Sequence, residues 1–252
     1  MTSTLVTLSD PTSPVAEAYR RLRLNLMSPV REASLRTLLV VAAGADAGKA
    51  SVVANLAVTF ARVGQRVILV DCDLRHPAQH TFFGLSNEEG LTTALPTGQG
   101  QQAGGVAASR ASLPPGAASP TQVPADTGVR PDARGLPLQE TGVPGLRLLA
   151  SGPVVAVPSE WIASPLMAAL ISCLRDDADL VLFDAPPVVL ATDAAELATQ
   201  VDGVLLTVSA GRTKRDDAQR ARDLLAKVGA RVLGAALVNA PVDVGQREYL
   251  AA

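Results

Sequence analysis

Residues 37–51 read T-L-L-V-V-A-A-G-A-D-A-G-K-A-S, and this segment is the strongest indication of the fold in the sequence. Its first six residues, Thr37–Ala42, form a short apolar run that predicts a buried strand. The apolar-rich run that follows Gly48 and ends before Gly64 predicts a helix. Backbone N–H groups and the helix dipole at such a strand-to-helix turn favour a phosphate, and Gly48 and Lys49 stand at this turn. The stretch therefore predicts a strand, a phosphate-binding loop and a helix.

The rest of the chain continues the alternation of strands and helices. Predicted strands lie at 66–73, 146–150, 179–184, 204–209 and 231–239, and predicted helices at 14–27, 158–174, 193–199 and 215–228. This alternation predicts an α/β fold of three layers, α/β/α, around a doubly wound, mostly parallel sheet. Ligands bind such sheets at the C-terminal ends of the strands.

The composition fits one domain of this kind over residues 1–252. Hydrophobic residues make up 48% of the chain and aromatic residues only 3%, which suits parallel strands covered by helices. A net charge of −2 does not indicate nucleic acid or an anionic membrane as a partner. Two cysteines imply no disulfide framework, and neither a signal peptide nor an apolar run of ~20 residues is apparent. We therefore expect a cytoplasmic protein that reaches a membrane only through a partner.

Residues 96–140 differ from the rest of the chain. They contain seven glycines, seven prolines and no aromatic residue. Such a segment buries too little apolar surface to offset the entropy of ordering it. We predict a disordered, low-complexity insertion within the domain, although a long ordered loop is an alternative. Residues 241–252 are predicted to form a short tail.

Acidic side chains follow two of the predicted strands. Asp71 and Asp73 end one strand two residues apart, so both side chains point the same way. Asp184 ends the strand L-V-L-F-D, where an acid can position magnesium or water. Buried carboxylates repel one another unless a cation neutralises them, and Mg²⁺ prefers such oxygen ligands. Each pattern alone also fits a solvated turn or an ordinary helix start, but together they favour a nucleotide site.

The chain resembles the bacterial tyrosine kinases (BY-kinases) of capsule and exopolysaccharide synthesis, within the Mrp/MinD-like P-loop ATPases. The resemblance rests on E-A-Y-R-R-L-R-L-N (17–25), V-I-L-V-D-C-D-L-R-H-P (67–77) and L-V-L-F-D-A-P-P-V-V (180–189). Further similar stretches lie at 83–91, 158–165, 192–198 and 233–239. The resemblance covers nearly the whole chain outside the predicted insertion.

The resemblance implies roles for particular residues in binding Mg²⁺-ATP and transferring its phosphate to tyrosine. Lys49, Asp71, Asp73 and Asp184 would be catalytic, and Asp71 and Asp184 would also hold Mg²⁺. The remaining nucleotide contacts would come from Gly44, Ala47, Gly48, Ala50, Ser51 and Asn239, the last of them beside the adenine.

The resemblance also implies partners. Glu17, Arg20 and Arg23 match a subunit-contact motif of the family, which predicts a homo-oligomeric ring. Tyr249 in the tail is the candidate phosphate acceptor, since Tyr19 is the only other tyrosine. A membrane polysaccharide co-polymerase would activate the protein and recruit it to the inner face of the membrane. The predicted function is regulation of polysaccharide polymerisation and export.

The loop departs from the family pattern at two positions. Ala50 stands where relatives carry the hydroxyl that coordinates Mg²⁺, and Ser51 lies ~100° further around the helix. Asp46 replaces a glycine and brings a negative charge toward the phosphates. These departures leave open whether ATP is bound or turned over, so the alternative is a non-catalytic scaffold of the same assembly. A MinD/ParA-type ATPase is a weaker alternative, because no lysine occurs between Thr37 and Gly48.

Overall fold

The computed structural model describes residues 5–31, 35–45, 48–94 and 135–241. Its elements in chain order are α1 Val6–Ser9, α2 Pro14–Arg31, β1 Thr37–Ala42, α3 Lys49–Ala61, β2 Val67–Asp71, α4 Gln79–Phe83, α5 Leu91–Ala94, β3 Gln139–Glu140, β4 Leu146–Leu149, α6 Pro158–Ile162, α7 Pro165–Asp177, β5 Leu180–Asp184, α8 Thr192–Ala198, β6 Gly203–Ser209, α9 Arg215–Lys227 and β7 Val232–Val238.

The strands form a seven-stranded sheet in the order β3-β4-β2-β5-β1-β6-β7. All neighbouring pairs are parallel except β3 and β4, which are antiparallel. The three central strands β2, β5 and β1 are fully buried because helices cover both faces of the sheet. Asp71 lies opposite Asp184 in the register of β2 and β5, so both acids reach the same edge.

Alternate residues of the strands pack against different helix layers. Leu38 and Val40 of β1 face a cluster that includes residues of α2 and α3. Leu39 and Val41 face the opposite cluster, to which α7, α8 and α9 contribute. This period of two is what a strand between two helix layers requires. The predicted doubly wound sheet in three α/β/α layers is therefore confirmed.

Two predicted helices differ from the observed ones by more than one residue at an end. The helix predicted at 14–27 continues to Arg31. The helix predicted at 158–174 is instead two helices, α6 and α7, interrupted at 163–164. Pro165 lacks an N–H and begins α7, while the Ser164 side chain caps it by accepting the N–H of Met167 at 3.2 Å. The prediction of one continuous helix was wrong because proline is favoured in a first turn.

The C-terminal end of the predicted insertion is also corrected. Gln139 and Glu140 form β3, which pairs with β4, and Leu136 and Leu138 pack against the core. Residues 135–140 are therefore part of the fold and were wrongly assigned to a disordered segment. The remainder of the predicted insertion up to residue 134 lies outside the described residues, as does the predicted tail beyond residue 241.

Candidate functional site

Lys49 begins α3 directly after the loop that follows β1. Gly48 precedes it at the N-cap position, and the first N–H groups of any α-helix have no acceptor within the helix. The Lys49 side chain is buried, with the residue only 4% exposed. Its Nζ forms ion pairs with Asp184 and, at 3.3 Å, with Asp73. The loop and both acidic strand ends predicted from the sequence thus meet at one buried ammonium group.

Asp71 is fully buried and organises the loop that follows β2. Its Oδ2 accepts the backbone N–H groups of Ala78 and Gln79, each at 2.9 Å. Its Oδ1 accepts the N–H of Asp73 at 3.2 Å. Burial and the negative charge of Asp184 raise the pKa of Asp71 to about 7, against the opposing effect of the backbone bonds. Asp71 therefore shapes the loop, and any bond to a cation would compete with these N–H groups.

Asp184 is also buried, and its two oxygens have different partners. Oδ1 pairs with Lys49, and Oδ2 accepts Nε2 of Gln79 at 2.6 Å. Burial raises the pKa of Asp184, and the positive charge of Lys49 opposes this rise. Burial alone would lower the pKa of Lys49, but the charges of Asp184 and Asp73 together raise it. The ammonium is therefore held charged between carboxylates.

Asp73 is the most accessible of the three acids, at 6% exposure against 0% for Asp71 and 1% for Asp184. Its Oδ1 accepts the N–H of His76 at 3.1 Å, and its Oδ2 faces Lys49. Among the acids of this cluster, Asp73 is therefore the best placed to meet a group that enters from solvent.

The structure adds three residues that the sequence analysis did not assign to the site. Gln79 contacts Asp184, as above, and its Nε2 also donates to the carbonyl of Ala50 at 3.1 Å. Arg75 donates to both oxygens of buried Asp193, at 2.9 and 3.2 Å, and so ties the loop after β2 to α8. Asp193 lies within the stretch 192–198 that supported the resemblance, which was the available signal for it.

Ser51 faces α2 and the next turn of α3. Nδ2 of Asn55 donates to the Ser51 carbonyl at 2.9 Å and to its Oγ at 3.3 Å. Burial raises the pKa of the Tyr19 phenol, and a hydrogen bond with the Ser51 side chain opposes this rise. Oδ1 of Asn55 in turn accepts the N–H and hydroxyl of Thr7 in α1. The Ser51 side chain is therefore engaged within the protein, and the role of Ser51 in nucleotide binding stays a prediction.

The other predicted nucleotide-binding residues lie on different elements of the fold. Gly44 lies just after β1, and Ala50 is the second residue of α3. Asn239 follows β7 with a left-handed φ of 56°, and its Nδ2 donates to Ser209 Oγ at 2.8 Å. It lies at the same edge of the sheet as Lys49 but two strands away from β1. Ala47, like Asp46, lies outside the described residues.

No group of three or more His, Cys, Asp or Glu side chains within the described ranges is arranged to hold a metal ion. A magnesium ion that accompanies a nucleotide needs only one or two carboxylates, because phosphates and water supply its other ligands. Asp184, one of the two predicted ligands, fits this requirement chemically once Lys49 moves to phosphate. The other, Asp71, already accepts three backbone N–H groups, and its role as a magnesium ligand stays a prediction. Ala50, the second residue of α3, has no side-chain oxygen to offer such an ion.

The predicted subunit-contact residues form bonds within α2 and to the turn that precedes it. Arg20 Nε lies 2.7 Å from Glu17 Oε2, and Arg20 Nη1 donates to the carbonyl of Pro11 at 2.7 Å. Arg23 Nη1 lies 3.0 Å from Met27 Sδ, and its Nε is a buried nitrogen without a hydrogen-bond partner among the described residues. The ring interface stays a prediction. The candidate acceptor Tyr249 lies outside the described residues.

Comparisons with known proteins match the chain to a nucleotide-binding family and to tyrosine-protein kinases. Residues 38–243 match the family described as CobQ/CobB/MinD/ParA nucleotide binding domain. CapB of Staphylococcus aureus is 29% identical over 247 residues, which cover 98% of this chain and 94% of CapB. The tyrosine-protein kinase YwqD of Bacillus subtilis is 29% identical over 235 residues, covering 93% of this chain and 85% of YwqD.

A solved structure extends the similarity to three dimensions. The kinase domain of the Escherichia coli tyrosine kinase ETK superimposes with a TM-score of 0.77 at 26% identity, over 95% of this chain and 81% of that domain. The chain therefore belongs to the CobQ/CobB/MinD/ParA nucleotide-binding domain family, and within it resembles bacterial tyrosine-protein kinases over nearly its whole length.

Proposed function

We propose that the protein binds ATP with Mg²⁺ and transfers its γ-phosphate to a tyrosine hydroxyl. The observation that carries this proposal is the buried cluster in which Lys49 joins Asp73 and Asp184 at the start of α3. Buried ion pairs seldom stabilise a fold more than apolar packing would. A cation held between acids at a helix N-terminus is instead well suited to exchange its partners for a phosphate.

Each residue of the cluster has a role in the proposed reaction. Lys49 Nζ leaves its carboxylate partners and binds phosphate oxygens. Asp73 accepts the proton of the tyrosine hydroxyl, because it is the most exposed of the three acids. The hydroxyl oxygen forms a bond to the γ-phosphorus, the bond from that phosphorus to the β,γ-bridging oxygen breaks, and ADP leaves. Bound Mg²⁺ supplies positive charge for the phosphate oxygens, and Asp184 is the residue that would hold it.

The proposed setting follows from the resemblance to the BY-kinases. The acceptor is Tyr249 of a neighbouring copy in a ring built through Glu17, Arg20 and Arg23. The ring regulates polymerisation and export of a capsular polysaccharide or exopolysaccharide. Across the described ranges, none of the helices combines the length and apolar character that a bilayer crossing demands. The resemblance supports, as a further part of the proposal, a membrane co-polymerase that recruits and activates the protein at the inner face of the membrane.

One observation favours a second candidate function, a scaffold in the same assembly that does not transfer phosphate. Ala50 lacks a hydroxyl that could coordinate Mg²⁺, and the Ser51 side chain is bonded to Asn55 of α3 and Tyr19 of α2 instead. A scaffold would keep its surfaces for assembly while its cluster stayed closed around Lys49.

A phosphotransfer assay separates the two functions. The full chain is incubated with radiolabelled ATP, Mg²⁺ and membranes that carry its co-polymerase, and phosphotyrosine is measured. We expect label on tyrosine, lost in Lys49→Met and Tyr249→Phe and retained in the matched control Lys227→Met, at the exposed end of α9. Absence of phosphotyrosine from the wild-type protein would contradict the kinase proposal and favour the scaffold.

A further inference from the structure

Gln79 connects the three segments that build the candidate site. Its backbone N–H donates to Asp71 Oδ2 at 2.9 Å, and its side-chain Nε2 donates to Asp184 Oδ2 at 2.6 Å. The same Nε2 donates to the carbonyl of Ala50 in the first turn of α3 at 3.1 Å. The residue is completely buried. One side chain therefore links the ends of β2 and β5 to the helix that carries Lys49.

The orientation of the Gln79 amide follows from its partners. A carboxylate and a backbone carbonyl are both acceptors, so the NH₂ group must face them. The Oε1 atom lies on the other branch, buried and without a hydrogen-bond partner within the described part of the chain. A buried acceptor without a partner is uncommon and requires an explanation, such as a group that binds there.

Nucleotide binding affects the two side-chain partners of Asp184 differently. Lys49 has to leave Asp184 Oδ1 when it binds phosphate, whereas Gln79 has no charge to give to a phosphate. Without Gln79, Asp184 would have no side-chain partner once Lys49 has moved to the phosphate. This is the state in which its carboxylate must be held in place for Mg²⁺. The bond from Gln79 to Asp184 is charge-assisted, and such bonds are the stronger class.

We propose that Gln79 is a positioning residue that holds Asp184 next to the first turn of α3 for a magnesium ion. In that turn Ala50 has no side-chain oxygen to offer the ion, and Gln79 fixes the carboxylate of Asp184 beside the turn through its bonds to both residues. The unpartnered Oε1 provides an acceptor for a water molecule of the hydrated ion. This inference rests on the proposed nucleotide site.

The experiment compares Gln79→Met with the matched control Gln200→Met. Gln200 is a half-buried amide that donates to the carbonyl of Ile162 at 3.1 Å and also has an unpartnered Oε1, but it has no bond to the acids. Calorimetry measures the Kd of ADP with and without Mg²⁺ for each protein. We expect Gln79→Met to reduce the magnesium-dependent gain in affinity at least tenfold and to change the Kd without magnesium less than twofold. Gln200→Met should match the wild type in both.

Different results would contradict the role of Gln79 and the proposed function. Equal losses with and without Mg²⁺ would assign Gln79 a purely structural role, and no loss at all would also overturn the inference. Gln79→Asn, one methylene shorter and unable to reach both acceptors, serves where Gln79→Met does not fold and should show the same loss. If the wild type itself binds no ADP, the proposed function fails and the magnesium role of Gln79 fails with it.

A double-mutant cycle tests the contact itself without nucleotide. Gln79→Met is made in the wild type and in Asp184→Asn, and the unfolding equilibrium constants are compared. Because a charge-assisted bond is stronger than a neutral one, the effect of Gln79→Met should be about fivefold smaller in the Asp184→Asn protein. Equal effects in both proteins would overturn the contact on which the inference depends.

Discussion

Lys49→Met should destabilise the folded protein even when no nucleotide is present. Lys49 is 4% exposed and is the cation that faces both Asp73 and Asp184. Removing one partner from a buried ion pair costs about 3–5 kcal/mol, because the other charge stays buried without compensation. For a chain of this length, each kcal/mol lowers Tm by about 2–4 °C, so we expect a decrease of roughly 10 °C at pH 8.

The pH dependence of this loss distinguishes electrostatics from packing. Without the ammonium, the pKa of Asp184, which burial already raises, rises further above its value in the unfolded chain. The native state then binds more protons than the unfolded state, so the stability of the variant falls as pH rises. The loss relative to wild type should therefore be largest at pH 8 and smaller at pH 5.

The assay is thermal unfolding by calorimetry at both pH values in metal-free buffer. Lys227→Met serves as the matched control, since an exposed lysine at the end of α9 should change stability by no more than about 0.5 kcal/mol. A Lys49→Met protein as stable as the wild type, or equally destabilised at both pH values, would refute the electrostatic reasoning.

Three further predictions concern the surroundings of the cluster. The pKa of Asp71 is raised from 3.8 to about 7, so native Asp71 retains a proton that the unfolded chain releases. Urea unfolding in metal-free buffer should therefore show that the contribution of Asp71 to the free energy of unfolding falls between about pH 4 and about pH 7. Asp71→Asn should remove this part of the pH dependence. Asn55→Leu should cost about 2–3 kcal/mol in urea unfolding, because it leaves buried donors of Thr7 without an acceptor; a loss below 0.5 kcal/mol would contradict that network. Arg75→Leu leaves the carboxylate of Asp193 unpaired at 2% side-chain exposure. Because Arg75 is itself 41% exposed and water screens the pair, thermal unfolding should show a loss of only about 1–3 kcal/mol. No loss would contradict a stabilising role for this ion pair.

Much of the fold could be predicted because its signals are local. The buried strands β1, β2 and β5 are short apolar runs, and α3 follows a glycine and ends before another. Two errors had physical causes. Pro165 begins a new helix where the apolar pattern alone predicted continuity. The short strand β3 forms because β4 offers it an edge, which composition does not indicate.

The candidate site was predictable in outline because parallel strands deliver their C-terminal ends to one edge. The sequence therefore indicated that Lys49, Asp73 and Asp184 would be close together, and the structure brings them into contact. Gln79 was missed because a single amide at the start of a short helix has no periodic signal. The raised pKa of Asp71 depends on its complete burial, which only the packed structure provides.

Calorimetric titration of the purified protein with ATP and ADP, with and without magnesium, tests the central claim most directly. We expect saturable binding that tightens when Mg²⁺ is added, that is lost in Lys49→Met and that is retained in Lys227→Met. Absence of binding at millimolar nucleotide, or binding that Lys49→Met leaves unchanged, would contradict it.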